Sequence, residues 1–217
     1  MATIPVVPVV PFPSADHALD LCARLTRYVG EGAAILRASL GRLQALDEEV
    51  RRLTDLQGQA EELTEQLVNL VPRMLTLPSE RVAVIGLTRA LDDVLDDLDA
   101  ALTRLLLFGL SRPSPLATAL VGVLIQQAEA LERAVVGLRD DRQRPAIKGH
   151  LALARGLSAE ADGLLMQSYV GLGDDALDLT GVVEWLKWSE VHRPLAAATR
   201  HGRDAAEAIE RLTARRV

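Results

Sequence analysis

The stretch Leu91-Asp92-Asp93-Val94-Leu95-Asp96-Asp97-Leu98-Asp99 sets five carboxylates into a leucine repeat. At 100° per residue, Leu91, Leu95, Leu98 and Leu102 share one face of a helix. Asp92, Asp96 and Asp99 are then expected along the flank of that face, with Asp93 and Asp97 turned towards water. Carboxylates at i and i+4 beside an apolar seam can converge on a hard or transition-metal cation. Asp92 and Asp96 are therefore a candidate metal pair. The same spacing also describes a solvated acidic face next to a core. Like charges at i and i+4 destabilise an isolated helix by ~0.2 to 0.5 kcal/mol per pair, and either a cation or basic residues on neighbouring helices would remove that repulsion.

Other chemistry is less well supported. Asp92, Asp93 and Asp96 have the Asp-Asp-x-x-Asp spacing by which helical isoprenoid synthases hold magnesium and a diphosphate. Those enzymes resemble larger bundles with a second metal motif and an aromatic pocket, and the sequence shows neither. His17, His150, His192 and His201 are scattered, without an i, i+4 partner set, and are expected to be packing or surface residues. Trp185 and Trp188 read as packing anchors. Gly171-Leu172-Gly173 is too short to cradle a phosphate and reads as a turn. No Ser, His, Asp or Cys, His constellation is detectable.

The elements that must carry the stripe follow from periodicity. Ala18, Cys22, Leu25, Val29, Leu36 and Leu43 form one helical seam, and Val50, Leu53, Leu56, Ala60, Leu63 and Leu67 a second, with Asp47 as the expected N-cap between them. Ser79 is the expected cap of the third helix, which ends before Ser111-Arg112-Pro113-Ser114-Pro115. A fourth runs through Leu120, Leu124, Leu131 and Val135 to the polar segment at 139–145, and a fifth from about Ile147 to Ser168. The sixth reaches the C-terminus, and Pro194 is expected to kink it or restart it at Arg193. The expected fold is an all-α six-helix bundle. Gln59-Ala60-Glu61 matches Glu160-Ala161-Asp162, and Arg89-Ala90-Leu91 matches Arg193-Pro194-Leu195, at nearly constant offset. This suggests two tandem three-helix repeats, about 14–110 and 114–217, forming one domain behind a Pro-rich extended arm at 1–13.

Composition agrees with that architecture. The chain has 217 residues, 49% hydrophobic but only 3% aromatic, so it can bury a sizeable aliphatic, helical core. A net charge of −6 with interleaved arginines and acids excludes a nucleic-acid surface. Cys22 is the only cysteine, which rules out an internal disulfide and fits a reducing cytoplasm. The N-terminal arm lacks a signal peptide's basic flank. The most apolar run, 116–125, is shorter than the ~20 residues a membrane span requires.

Pro78-Ser79-Glu80-Arg81 followed by Leu91-Asp92-Asp93-Val94-Leu95-Asp96 resembles the PhoU-related accessory proteins of Pit phosphate transporters, in which Pro-x-Asp-Arg opens a helix carrying Leu-Asp-Asp-Ile-x-Asp. Leu186-Lys187-Trp188-Ser189-Glu190-Val191-His192 resembles the family's Ile-Lys-Trp-Lys-Glu-Ile-Tyr, and Ala159-Glu160-Ala161-Asp162 its Glu-Glu-Ala-Asp. The resemblance implies a non-enzymatic accessory or regulatory protein of inorganic phosphate transport, with a phosphate permease or a phosphate-signalling protein as partner; the competing reading of the same bundle is a structural helical scaffold unrelated to phosphate. It also implies a metal site on the third helix of each repeat. In the first repeat the ligands would be Asp92 and Asp96 with Glu61. Gln57 and Gln59 stand where the family has acids. In the second repeat the pair falls on Ala196 and Arg200, leaving only Glu160 and Asp162, either of which Arg200 could neutralise. One divalent or iron-type metal site in the first repeat, or no metal at all, is therefore expected. A membrane-peripheral position and a homodimer through an exposed bundle face both remain compatible with the sequence.

Overall fold

The structure is a computed structural model that describes residues 15–170 and 179–213. The Pro-rich arm and the glycine turn at 171–173 lie outside the described residues. Within them the chain forms six α-helices: α1 (Ala15–Leu40), α2 (Asp47–Leu70), α3 (Pro78–Phe108), α4 (Pro115–Gly137), α5 (Arg144–Val170) and α6 (Leu179–Thr213). Each seam predicted from spacing is buried. Leu25, Leu36, Leu53, Leu63, Leu67, Leu91, Leu95 and Leu98 are all at most 2% exposed, and they belong to a single apolar core.

The helix ends depend on local chemistry that the sequence reading caught only in part. Asp47 is not the N-cap of α2. Leu46 occupies that position with no side-chain bond, and Asp47, Glu48 and Glu49 fill the first turn, where their charge favours the helix N-terminus. Ser79 does not cap α3 either. Pro78 sits at the first helical position, behind an extended Leu77, because its fixed φ and missing N–H suit that place. The helix thus starts one residue before the serine. Ser114 is a true cap, its hydroxyl accepting from the Ala117 amide at 3.3 Å. Gly109 closes α3 in the left-handed region at φ 56°, a conformation that glycine adopts without a Cβ penalty. Lys187 adds a donor at the same end, from Nζ to the Phe108 carbonyl at 3.0 Å.

The 139–145 segment does more than end α4. Asp140 accepts from the Arg142 amide at 3.0 Å over a 3-10 turn, and α5 begins directly afterwards at Arg144, ahead of the expected Ile147. Pro194 does not restart the last helix: α6 runs unbroken through it for 35 residues. Proline removes one amide donor there, but Pro194 is buried between Val191 and Leu195, so packing against α3, α4 and α5 holds the helix on both sides of the missing bond.

In each half the three helices all touch one another: α1 with α2 and α3, α2 with α3, then α4 with α5 and α6, and α5 with α6. The halves are joined by α1 against α4 and by α3 against α6, the most extensive contact in the molecule. The carboxylate-bearing helix of the first half thus lies directly against its counterpart in the second. Gly32 permits the close approach of α1 to α2 and α3, since a Cβ there would lie 2.9 Å from a Leu98 methyl carbon.

Candidate functional site: the carboxylates of α3

Two different neighbours divide the acidic stripe. On the α2 side, the Thr64 hydroxyl donates to Asp92 Oδ1 at 3.4 Å. Asp92 is half-buried, whereas Asp96, one turn further on, and Glu61, on α2, are exposed. Burial is the largest influence raising the Asp92 carboxyl above the ordinary aspartate range. Asp96, Asp93 and Glu61 push it further the same way, and only the Thr64 hydroxyl opposes them. Asp96 is also raised, by burial first and then by Asp93, Asp99 and Glu61. Burial alone raises Asp99. Asp92, Asp96, Asp99 and Glu61 have no ion-pair partner among the described residues. The three residues expected to meet, Asp92, Asp96 and Glu61, thus share one electrostatic neighbourhood of uncompensated negative charge. No three of His, Cys, Asp and Glu among the described residues are grouped closely enough to hold a metal ion.

On the α6 side the expectation for Asp97 fails. It does not point to water: its Oδ2 lies 3.0 Å from Nδ1 of His201, and its side chain is only 20% exposed. Burial raises the Asp97 carboxyl, while His201 and Arg200 act against the rise. The helical-wheel reading assumed one packed face, but α3 is packed by α2 on one side and by α6 on the other, so a position opposite the first seam meets the second partner. Asp93 is exposed, as expected.

The second half carries no equivalent acidic pair. Ala196 is fully buried, and Arg200 Nη1 lies 3.4 Å from Asp162 Oδ1. Of the two carboxylates expected there, Arg200 takes Asp162 and leaves Glu160 exposed. A guanidinium held beside an aspartate opposes binding of a second cation at that point.

Two further polar groups link helices in the core, and the first, Gln127, was not singled out from the sequence. Gln127 is 2% exposed, and its Nε2 donates to the carbonyls of Ala154 on α5 at 2.9 Å and Thr199 on α6 at 3.0 Å. The sequence does carry a signal for it, because Gln127 falls in the seam position between Leu124 and Leu131. His192 is buried and lies 2.9 Å, through Nε2, from the Ser114 hydroxyl, with its ring stacked on Trp188 at 5.7 Å. Burial depresses its pKa to about 4, so the imidazole is neutral at physiological pH. The Ser114 hydroxyl already accepts the Ala117 amide, and the Ser114–His192 contact ties the α3–α4 connection to α6. His192 and Trp188 are thus packing residues, as expected. Cys22 is fully buried, and burial holds its thiol at about 12.

No helix among the described residues is long and apolar enough to cross a membrane. No family model matches the sequence, and no curated protein is similar to it. The fold, by contrast, is shared with solved structures. A PhoU-like protein from Shewanella oneidensis MR-1 superposes with a TM-score of 0.72 at 14% identity, over 91% of this chain and 99% of that one. A second, described as a putative PhoU-like phosphate regulatory protein from the same organism, gives 0.70 at 14% identity with the same coverage. The six-helix bundle of this chain therefore has the architecture of these PhoU-like proteins.

Proposed function

We propose that this protein is a non-enzymatic regulator of inorganic phosphate transport, acting in the cytoplasm by docking its helical bundle on a phosphate permease or a phosphate-signalling protein. The supporting observation is the PhoU-like architecture over nine-tenths of the chain. Purifying the tagged full-length chain from cells grown in phosphate-rich and phosphate-poor medium tests the reading. A phosphate permease or phosphate-responsive signalling protein is expected among the specific partners. Recovery of unrelated proteins alone, with phosphate uptake unchanged on deletion of the gene, would overturn it.

A divalent or iron-type cation at Asp92, Asp96 and Glu61 belongs to the same reading. It would neutralise Asp92 and Asp96, whose carboxyls burial and neighbouring acids already raise, and so stiffen the α2–α3 face. Metal analysis of the purified protein checks this: equal metal content in wild type and Asp92→Ala/Asp96→Ala sinks the site and leaves the docking role standing.

A further inference from the structure

The first turns of α6 carry an apolar stripe that the bundle does not bury. No residue of α6 before Trp188 is buried, and the placement of the helix explains why. α3 and α6 run antiparallel, with Asp97 beside His201 and the Phe108 carbonyl bonded by Lys187. Because α3 ends at Phe108, the turns of α6 that precede Lys187 continue past it. At ~1.5 Å per residue, residues 179–186 project by ~12 Å.

Four large apolar side chains stand on this projecting segment. Leu179, Val182, Val183 and Leu186 are exposed by 39% to 82%, and at 100° per residue they fall on the side of the helix opposite Trp188, Val191 and Leu195. They do not extend the buried seam but form a second one that faces water. Further along α6 the same outward side carries Glu190, Arg193 and Asp204, so the stripe is confined to the part of the helix outside the bundle. Its spacing of i, i+3, i+4 and i+7 is that of the anchors by which an amphipathic helix enters an apolar groove.

Size and charge decide what covers it. A stable interface between two proteins buries ~800 Å² on each side, from ~20 to 30 residues, and four side chains laid flat against a second copy of themselves fall well short of that. A groove closes on both flanks of the helix and so buries more of it. An anionic bilayer is attracted by clustered cations. The segment instead offers the exposed carboxylate of Glu184 and one lysine, Lys187, whose ammonium is bonded to the Phe108 carbonyl at 3.0 Å. The complement of this surface is an apolar groove one helix wide, with a cation on the rim that meets Glu184.

We infer that residues 179–186 are a ligand helix, which inserts Leu179, Val182, Val183 and Leu186 into such a groove on the protein that this chain regulates. The inference rests on the docking role proposed above and gives that role a surface. A photo-cross-linking phenylalanine analogue at Leu186 of the tagged full-length chain tests it in cells. One protein should be cross-linked, through an apolar peptide flanked by lysine or arginine. Val183→Glu should abolish the capture and Glu184→Lys should weaken it, whereas Glu62→Ala, at an exposed position on α2, should leave it intact. All three variants should keep the parent's helix content. Cross-links only to a second copy or to lipid, capture that survives Val183→Glu, or no cross-linked protein at all would overturn the inference. A captured protein that depends on Val183 but has no link to phosphate keeps the ligand helix and overturns the transport role. A phosphate permease recovered equally by the Val183→Glu chain does the reverse.

Discussion

His192 would titrate near 6.5 in the open, yet its pKa is depressed to about 4 by burial. The unfolded chain therefore takes up this proton at a higher pH than the native chain does. The stability contributed is complete above about 6.5 and is lost as pH falls towards 4, by up to ~3 kcal/mol. His192→Phe, which keeps a ring against Trp188, should be less stable than wild type at neutral pH through loss of the Ser114 contact, but should flatten this dependence. Urea unfolding of both proteins at pH 7 and pH 4.5 measures it, and equal losses in the two would remove His192 as the source. The α3 carboxyls have the opposite sign. Asp92 and Asp96 are raised from 3.8, so ionisation costs stability in full above the native pKa, and the cost fades as pH falls from there to the unfolded value, below which it is gone. Asp96→Asn should therefore stabilise by ~0.2 to 0.5 kcal/mol at pH 7, with the gain gone near pH 3. A thermal melt showing destabilisation instead would mean that the carboxylate engages a favourable partner such as a cation. Spacing marks Asp92 and Asp96 as neighbours on one flank of α3, and their carboxyls are raised together. Asp97 was misplaced because its environment belongs to α6, 104 residues away.

Among the helices, the most specific packing lies between α4 and α6. A Cβ on Gly202 would sit 2.3 Å from Gln127 Oε1, so the buried amide reaches α5 and α6 only because glycine leaves it room. Gly202→Ala should cost ~1 to 3 kcal/mol, read as a drop in the denaturant midpoint. The penalty should largely vanish in a Gln127→Ala background, where nothing is left to collide with; full additivity of the two changes would show that the clash is not the cause. The same pair shows the limits of pattern reading. A polar residue in a leucine seam is visible in sequence, but the glycine that admits it lies in a different helix. Caps were similarly divided. Ser114 caps because an extended residue precedes the Pro115 that opens α4, whereas at α3 the proline precedes the serine and takes the first position for itself.

For the molecule as a whole, the two halves stand in fixed mutual dependence. α3 packs along α6 more extensively than along either helix of its own half, so cutting the chain between the halves would expose the core-facing leucines of both. Residues 14–110 expressed alone should lose the cooperative unfolding transition and the amide protection of α3, as hydrogen exchange would report. A stable, protected three-helix monomer would contradict the single-domain reading. Nothing in the heptads of α3 names α6 as its partner, because leucine seams of equal spacing are interchangeable until the connections and glycine contacts choose among them.

The residue pattern by itself determined the helical class, the six elements and the core faces of α1 to α4. These depend on local periodicity and charge, which a chain carries wherever it folds. Only the tertiary structure decided that Arg200 pairs with Asp162, that Asp97 faces His201, that Gln127 threads past Gly202, and that the α2–α3 turn keeps two buried donors unpaired. Each of these depends on how close two helices lie and in what register, quantities fixed by the packing of the entire bundle and encoded in no single segment.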